Sequence, residues 1–294
     1  MHVLDRWAEP HPYLTLSGLR ERVRLHVGDC RDLDLLRVLL ARTEADTVFH
    51  LAAQPLVALG NAAPYETLSI NVMGTVAVLE AVRTVAPAAR VVFASSGAVY
   101  GPTSTDHAIG EDEPPVPANN VYAAGKIAAD TAVRTYAKVY GLKAAACRFM
   151  NTYGPGDTNF SRIVPKACRA LIEARPYDFG DRDDGRSVLD FLHIRDMAAA
   201  YIAVADRIDA AAGEAFNFGA GSPISVRELV GRISRAFDGR EREAVFRGAP
   251  KPKRPVKYLN ISKSERVLGW TPTTPLETGL AETLEWYRRH WDRL

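Results

Sequence analysis

Short apolar or β-branched runs alternate with longer stretches of helical period over the first two thirds of the chain. The runs Val3–Asp5, Val23–Val27, Thr47–Leu51, Val91–Ser95 and Ala144–Arg148 are bounded by turn residues, as strands buried on both faces read, and Ala215–Phe218 is a sixth. Between them, Leu33–Leu40 reads as a helix. Asn71–Val85 carries Val72, Val76, Leu79 and Val82 at helical spacing, and an alanine-rich helix is expected around Tyr122–Tyr140. Strands alternating with helices predict an α/β fold with a doubly wound parallel sheet.

Beyond about residue 155 proline and glycine become frequent and the pattern breaks into shorter pieces. The chain therefore divides into a domain over residues 1–155, rejoined by the strand near 215–219, and a smaller α+β domain over 156–294. In the second domain Ser225-Val-Arg-Glu228 has the form of a capping box. A last helix, about Leu276–Arg289, puts Leu280, Leu284 and Tyr287 on one face.

Composition narrows the function classes. The 294 residues are 47% apolar and 24% charged, as in ordinary globular proteins. Lys plus Arg is 37 and Asp plus Glu 35, a net +2, which makes no electrostatic case for nucleic acid or an anionic membrane. No uncharged apolar run approaches the roughly 18 residues of a membrane helix. The opening MHVLDRWAEPHPYL lacks the charged and apolar regions of a signal peptide. Cys30, Cys147 and Cys168 form no disulfide framework and have no metal-ligand spacing, so a reducing, cytoplasmic setting without a metal is expected.

Chemistry first shows at Val91–Gly101, a strand running into a turn of small residues with Ser95 and Ser96 at its carboxyl end. Ligands of open α/β sheets bind at that edge. Tyr122 and Lys126 follow, four apart and so on one face of a helix. A free phenol, with a pKa of about 10, is a poor base at neutral pH. A neighbouring ammonium favours the phenolate, and a serine hydroxyl can orient a substrate oxygen beside it. Alone, a Tyr-x-x-x-Lys spacing arises often on solvated helix faces.

The full constellation is more specific. Gly28-Asp29-Cys30-Arg31-Asp32, His50-Leu-Ala-Ala53 and Asn71-Val-Met-Gly-Thr75 come first. Ser95-Ser96 with Val99-Tyr100-Gly101, Tyr122 with Lys126, and Arg148-Phe-Met-Asn151 with Tyr153-Gly-Pro155 follow. Downstream lie Asp190-Phe-Leu-His193-Ile-Arg-Asp196, Asn217-Phe-Gly219 and Ser262-Lys263 with Leu268-Gly-Trp270. In this order and over essentially its full length, the chain resembles the extended short-chain dehydrogenase/reductase family, the NAD-dependent nucleotide-sugar epimerases and dehydratases.

The resemblance implies a Rossmann-like NAD-binding domain and a smaller substrate domain. It implies Tyr122 as catalytic base, Lys126 as holder of the nicotinamide ribose that lowers the Tyr122 pKa, and Ser96 as the hydroxyl on the reacting sugar oxygen. Asp5 is the expected acceptor of the adenine-ribose hydroxyls, favouring NAD over NADP. Asp29 and Cys30, the Leu51-Ala52-Ala53 segment, Asn71 and Ser95 complete the expected cofactor contacts. Asn151, Asn159, Arg162 and Arg254 are the expected contacts to a nucleotide-sugar diphosphate. The same resemblance implies a homodimer through the helices near Asn71–Val85 and Tyr122–Tyr140.

Three departures bear on function. The family opens with a strand and a G-x-x-G-x-x-G loop of about thirty residues whose helix end cradles the pyrophosphate. Here Met1–Asp5 reads as the second strand. A start site assigned too late would account for this, and the chain as written is expected to bind NAD poorly. Gly97 and Ala98 stand where dehydratases carry an acidic pair, which points to an epimerase over a 4,6-dehydratase or a 4-ketoreductase. Leu189 replaces a substrate-clamping arginine, with Arg186 or Arg195 as substitutes. A cofactor-free relative binding a nucleotide sugar or a protein is the alternative from another class.

Overall fold

The computed structural model describes residues 1–8, 12–101, 107–115, 118–181, 184–250 and 256–294. Strands β1 (His2–Asp5), β2 (Arg24–Val27), β3 (Thr47–His50), β4 (Arg90–Ala94) and β5 (Ala144–Phe149) fall on the apolar runs within a residue at each end. They alternate with α1 (Pro12–Leu16), α2 (Leu33–Thr43), α3 (Val57–Ala62), α4 (Pro64–Leu68), α5 (Gly74–Val85) and α6 (Val121–Tyr140). The remainder holds β6 (Thr152–Tyr153), α7 (Ile163–Ile172), β7 (Val188–Leu189), β8 (Leu192–His193), α8 (Ile194–Asp206) and α9 (Ile208–Ala211). Then come β9 (Ala215–Phe218), β10 (Ile224–Ser225), α10 (Val226–Asp238), β11 (Val256–Lys257), α11 (Ser262–Leu268) and α12 (Leu276–His290).

Strands β3, β4, β5 and β9 pair in that order and all in parallel, with Val48 opposite Val91, Val92 opposite Ala145 and Cys147 opposite Phe216. Their carboxyl ends therefore share one edge, and the loops leaving that edge carry most of the candidate residues. Strands β1 and β2 form a separate parallel pair, with Val3 opposite Leu25. Leu4 of β1 and Val48 of β3 nevertheless pack into one cluster with Leu36 of α2 and Val78 and Ala81 of α5. The two sheets thus share a helical layer while the ladder between β1 and β3 is interrupted. On the opposite face Val27 and Phe49 remain 56% and 43% exposed.

The helices start where the sequence offers caps. The Asp32 carboxylate accepts from Leu35 N at 2.9 Å and opens α2, and the Asn120 side chain accepts from Ala123 N at 2.9 Å and opens α6. Helix α6 ends at Gly141, whose φ of +70° favours glycine. The expected helix Asn71–Val85 is not uniform: Ser69–Met73 form a π turn before α5. Asn71 explains the irregularity, because its amide is bonded to both the N–H (2.7 Å) and the carbonyl (3.1 Å) of Gln54. The continuous stretch Pro64–Val85 is long and apolar enough to cross a membrane by length and composition, which corrects the expectation that no run approaches that length. Here Leu79 and Val82 of this stretch belong to the core beneath β4 and β5.

In the second part, α7, α10 and α12 enclose an apolar cluster with Tyr153, Tyr177, Phe179 and Phe191. The Ser225 hydroxyl caps α10 at Glu228 N (3.2 Å), while the Glu228 carboxylate turns to Arg232 (2.7 Å) instead of back to the cap. Residues of α8, α9, β9 and α11 return to the first sheet, where Tyr201, Ile208, Phe216 and Leu268 pack with Val92 and Cys147.

Candidate active site

The site lies at the carboxyl end of β4. Ser96 is extended (φ −152°, ψ 146°) and caps the short 3-10 turn Gly97–Tyr100, its hydroxyl accepting from Ala98 N at 3.1 Å. Gly97 in that turn is buried, and a Cβ there would overlap the Met150 side chain. Tyr122 is in the first turn of α6, with Ser96 near enough to act on its phenol. Burial pushes the Tyr122 phenol above its ordinary pKa, while the Ser96 side chain and the Arg162 cation act in the opposite direction.

Lys126 stands one turn further along α6. Its buried ammonium donates to the Ala94 carbonyl at 2.6 Å and lies 4.9 Å from the centre of the Phe93 ring. Burial lowers its pKa to about 8, against a raising effect of Asp130. In this structure the cation that lowers the Tyr122 phenol pKa is Arg162. Arg162, at the amino end of α7, is fixed by an ion pair with Asp157 at 3.0 Å. Beside Lys126, His50 is buried and bonds Thr75 Oγ1 at 3.0 Å; burial, then the Lys126 charge, hold it neutral with a pKa of about 3.

The expected cofactor residues divide into two sets. Asp5 is exposed at the carboxyl end of β1, accepting from Trp7 N at 3.1 Å. Leu51, Ala52 and Ala53 leave the end of β3, with Leu51 and Ala52 exposed. Other expected contacts are engaged internally. Both Asp29 oxygens are held by the Arg31 guanidinium, at 2.9 and 2.6 Å. Cys30 packs against the start of α5, where a Cβ on Gly74 would meet its Sγ at 2.7 Å. The Asn71 amide holds the Gln54 backbone, so it shapes the 51–56 loop rather than reaching outward. Ser95 is revised in the same way: its hydroxyl donates to Asp130 Oδ2 at 2.6 Å inside the protein.

On the substrate side, Asn151 follows β5 with a left-handed φ of +45°, and its amide donates to the Asp190 carbonyl at 3.2 Å. Asparagine tolerates that conformation better than most residues. The Asn159 side-chain Oδ1 accepts from Ser161 N (3.1 Å) and Oγ (2.6 Å), closing the turn that presents Arg162. Arg254 lies outside the described residues. Leu189 sits within the small β10–β7–β11 sheet. The two substitutes for an arginine there are paired elsewhere, Arg186 with Asp184 (2.6 Å) and Arg195 with Glu282 (2.8 Å).

The sequence reading assigned no role to Asp130, Arg148 or Tyr100. Arg148 of β5 forks onto Asp130 through Nε (3.0 Å) and a terminal nitrogen (2.9 Å), and donates to the Tyr100 hydroxyl at 2.8 Å. Tyr100 in turn bonds Asn217 Oδ1 at 2.8 Å. A signal for Asp130 was present, since it continues the Tyr122, Lys126 spacing by four.

Residues 1–219 match the family described as NAD dependent epimerase/dehydratase. A UDP-glucose 4-epimerase of Mycolicibacterium smegmatis is 33% identical over 264 residues, covering 89% of this chain and 82% of the relative. UDP-glucuronate 4-epimerase 4 of Arabidopsis thaliana is 30% identical over 90% of this chain, which spans 63% of that protein. Among solved structures, a UDP-glucose 4-epimerase of Thermotoga maritima with UDP-glucose superposes with a TM-score of 0.87 at 24% identity, over 99% of this chain and 91% of that one. The dTDP-glucose 4,6-dehydratase DesIV of Streptomyces venezuelae, with NAD and TYD bound, gives 0.85 at 28% identity, over 99% and 88%. With the parallel sheet, the Ser96–Tyr122 contact and Lys126 already in place, the family match over three quarters of its length means that this chain belongs to the NAD-dependent epimerase/dehydratase family.

Proposed function

We propose that the protein epimerises a ring hydroxyl of a nucleotide sugar. The observation that carries this reading is the Lys126 ammonium, buried and bonded to the Ala94 carbonyl at the carboxyl edge of β4, with Tyr122 one turn before it on α6 and Ser96 just beyond the strand's end. The UDP-glucose and UDP-glucuronate 4-epimerases among its relatives support a nucleoside diphosphate sugar as substrate.

NAD is the cofactor of this family. The residues fit its nicotinamide half: Lys126 and Tyr122 stand together at the sheet edge, where they would hold the nicotinamide ribose, and Asp5 would hold the adenine ribose. The pyrophosphate half is usually cradled by a G-x-x-G-x-x-G loop, a motif not found within these 294 residues. When bound, NAD supplies the hydride acceptor for oxidation of the sugar and the donor for its return.

The protein's own groups manage the proton. Tyr122 takes the proton of the sugar hydroxyl as that carbon becomes a carbonyl, and gives it back to the same oxygen afterwards. Burial favours the protonated phenol that the return requires. Ser96 and Arg162 favour the phenolate that the outward step requires. The Ser96 hydroxyl is placed to hold the sugar oxygen in both directions. Dehydration also needs a proton donor for the leaving hydroxyl. Gly97 offers none and has no room for a longer side chain against Met150.

The test is incubation with UDP-glucose or UDP-glucuronate and excess NAD. Interconversion of the C4 epimers without net NADH or loss of water is expected. Accumulating NADH, or a dehydrated product, would replace the epimerase reading with a reductase or a dehydratase. Self-association belongs to the same proposal: α6 exposes Ala124, Ala128, Thr131, Thr135 and Val139 in one stripe, beside α5. Light scattering giving a monomer mass would remove the homodimer.

A further inference from the structure

Three side chains of α6, four residues apart, meet three consecutive residues at the end of β4. Tyr122 stands beside Ser96, Lys126 donates to the Ala94 carbonyl, and Asp130 accepts from Ser95 Oγ at 2.6 Å. Asp130 also receives the Arg148 fork from β5, and Arg148 reaches on to Tyr100. Ser95 precedes the Gly97–Tyr100 turn and Tyr100 ends it, so one ion pair grips both ends of the segment that carries Ser96. Ser95, Asp130 and Arg148 are 7%, 2% and 2% exposed, which removes this grip from competition with water.

We propose that Asp130 is a positioning residue: through Ser95 and Arg148 it sets the 95–101 turn so that the Ser96 hydroxyl meets both Tyr122 and the substrate. It touches neither the substrate nor the cofactor. Other groups facing it are Arg134 of the same helix, at 3.1 Å, with Lys126 one turn before and the Cys147 thiol on β5. The charge matters as well as the hydrogen bonds. A neutral residue at 130 would strand Arg148 as a buried cation, and an apolar pair would take from the Ser95 hydroxyl its acceptor and from the Tyr100 hydroxyl its Arg148 donor. The catalytic consequence rests on the function proposed above; the effect on the turn does not.

The test compares Ser95→Ala, Ser95→Thr, Asp130→Asn and the double variant Ser95→Ala/Asp130→Asn with the parent. In the protein without substrate, amide hydrogen exchange is read at Ala98, whose N–H donates to Ser96, and at Gly101, whose N–H donates to Ala98. Ser95→Ala is expected to speed both by about tenfold or more, without change at Ala146 of β5, and Ser95→Thr to restore them. With substrate and excess NAD, kcat is expected to fall about tenfold with KM within about twofold. The double variant should be no worse than Asp130→Asn alone, because the effect of Ser95 runs through Asp130.

Unchanged exchange in Ser95→Ala overturns the proposal. So do multiplying effects in the double variant, which would mean that Ser95 acts on its own, or faster exchange with undiminished kcat. If Asp130→Asn does not fold, the two Ser95 variants decide. A parent without turnover would remove the epimerase reading, and the exchange measurement would then decide whether Asp130 sets the turn.

Discussion

Lys126 donates its ammonium to the Ala94 carbonyl at 2.6 Å, while Tyr122, one helical turn earlier on the same face, stands beside Ser96 instead. A buried ammonium needs an acceptor, and the last carbonyl of β4 is within reach where a neutral phenol is a weaker choice. The pair is therefore coupled through the strand end that both hold.

The Lys126 pKa gives a signed test. It lies near 8 in the folded chain against 10.5 for a free lysine, so between those values the unfolded chain binds more protons. The contribution of this group to stability therefore rises with pH from about 8 to about 10.5, by about 2–3 kcal/mol. Denaturant midpoints at neutral pH and at about pH 9.5 should show this rise in the parent and lose it in Lys126→Met. Equal slopes in the two proteins would contradict the buried, charged lysine.

The Asp130–Arg148 pair predicts a stability penalty at a position far from solvent. Arg148→Met leaves a buried carboxylate with only the partly exposed Arg134 as its direct ion-pair partner, and should cost about 3–5 kcal/mol in urea unfolding. Replacing both partners with apolar residues should cost less than that single change.

Gly97 predicts an overpacking effect that a second change relieves. Gly97→Ala drives a methyl into Met150 and should destabilise by about 1–3 kcal/mol, measured by thermal unfolding. Met150→Ala in the same chain should recover most of that loss. If Gly97→Ala is neutral, the close approach does not exclude an acid at this position.

Much of this arrangement was readable in the chain, for identifiable reasons. The parallel strands announced themselves because each is an apolar run of four to six residues between turn residues, and β9 was as plain as β3. The two-residue strands β6, β7, β8, β10 and β11 carry no period at all, so nothing local marks them. Tyr122, Lys126 and Ser96 stood out because their chemistry is unusual at a strand edge. Asn71 and Ser95 were read as facing a ligand, but their side chains are spent on Gln54 and Asp130, partners far away in sequence. The Arg148–Asp130 fork was hidden for the same reason: 18 residues separate its halves, one on a helix and the other on a strand. The apolar layer that joins β1 and β3 carries no local signal, because its side chains come from four separate elements.

The most direct test of the account is turnover of the Tyr122→Phe variant, assayed beside the parent with UDP-glucose or UDP-glucuronate and excess NAD. Phenylalanine keeps the ring and removes only the proton carrier. The account predicts that the parent interconverts the C4 epimers, and that Tyr122→Phe loses about 10²–10⁴-fold in kcat while KM stays within a few-fold. Epimerisation by Tyr122→Phe at the parent rate would contradict it.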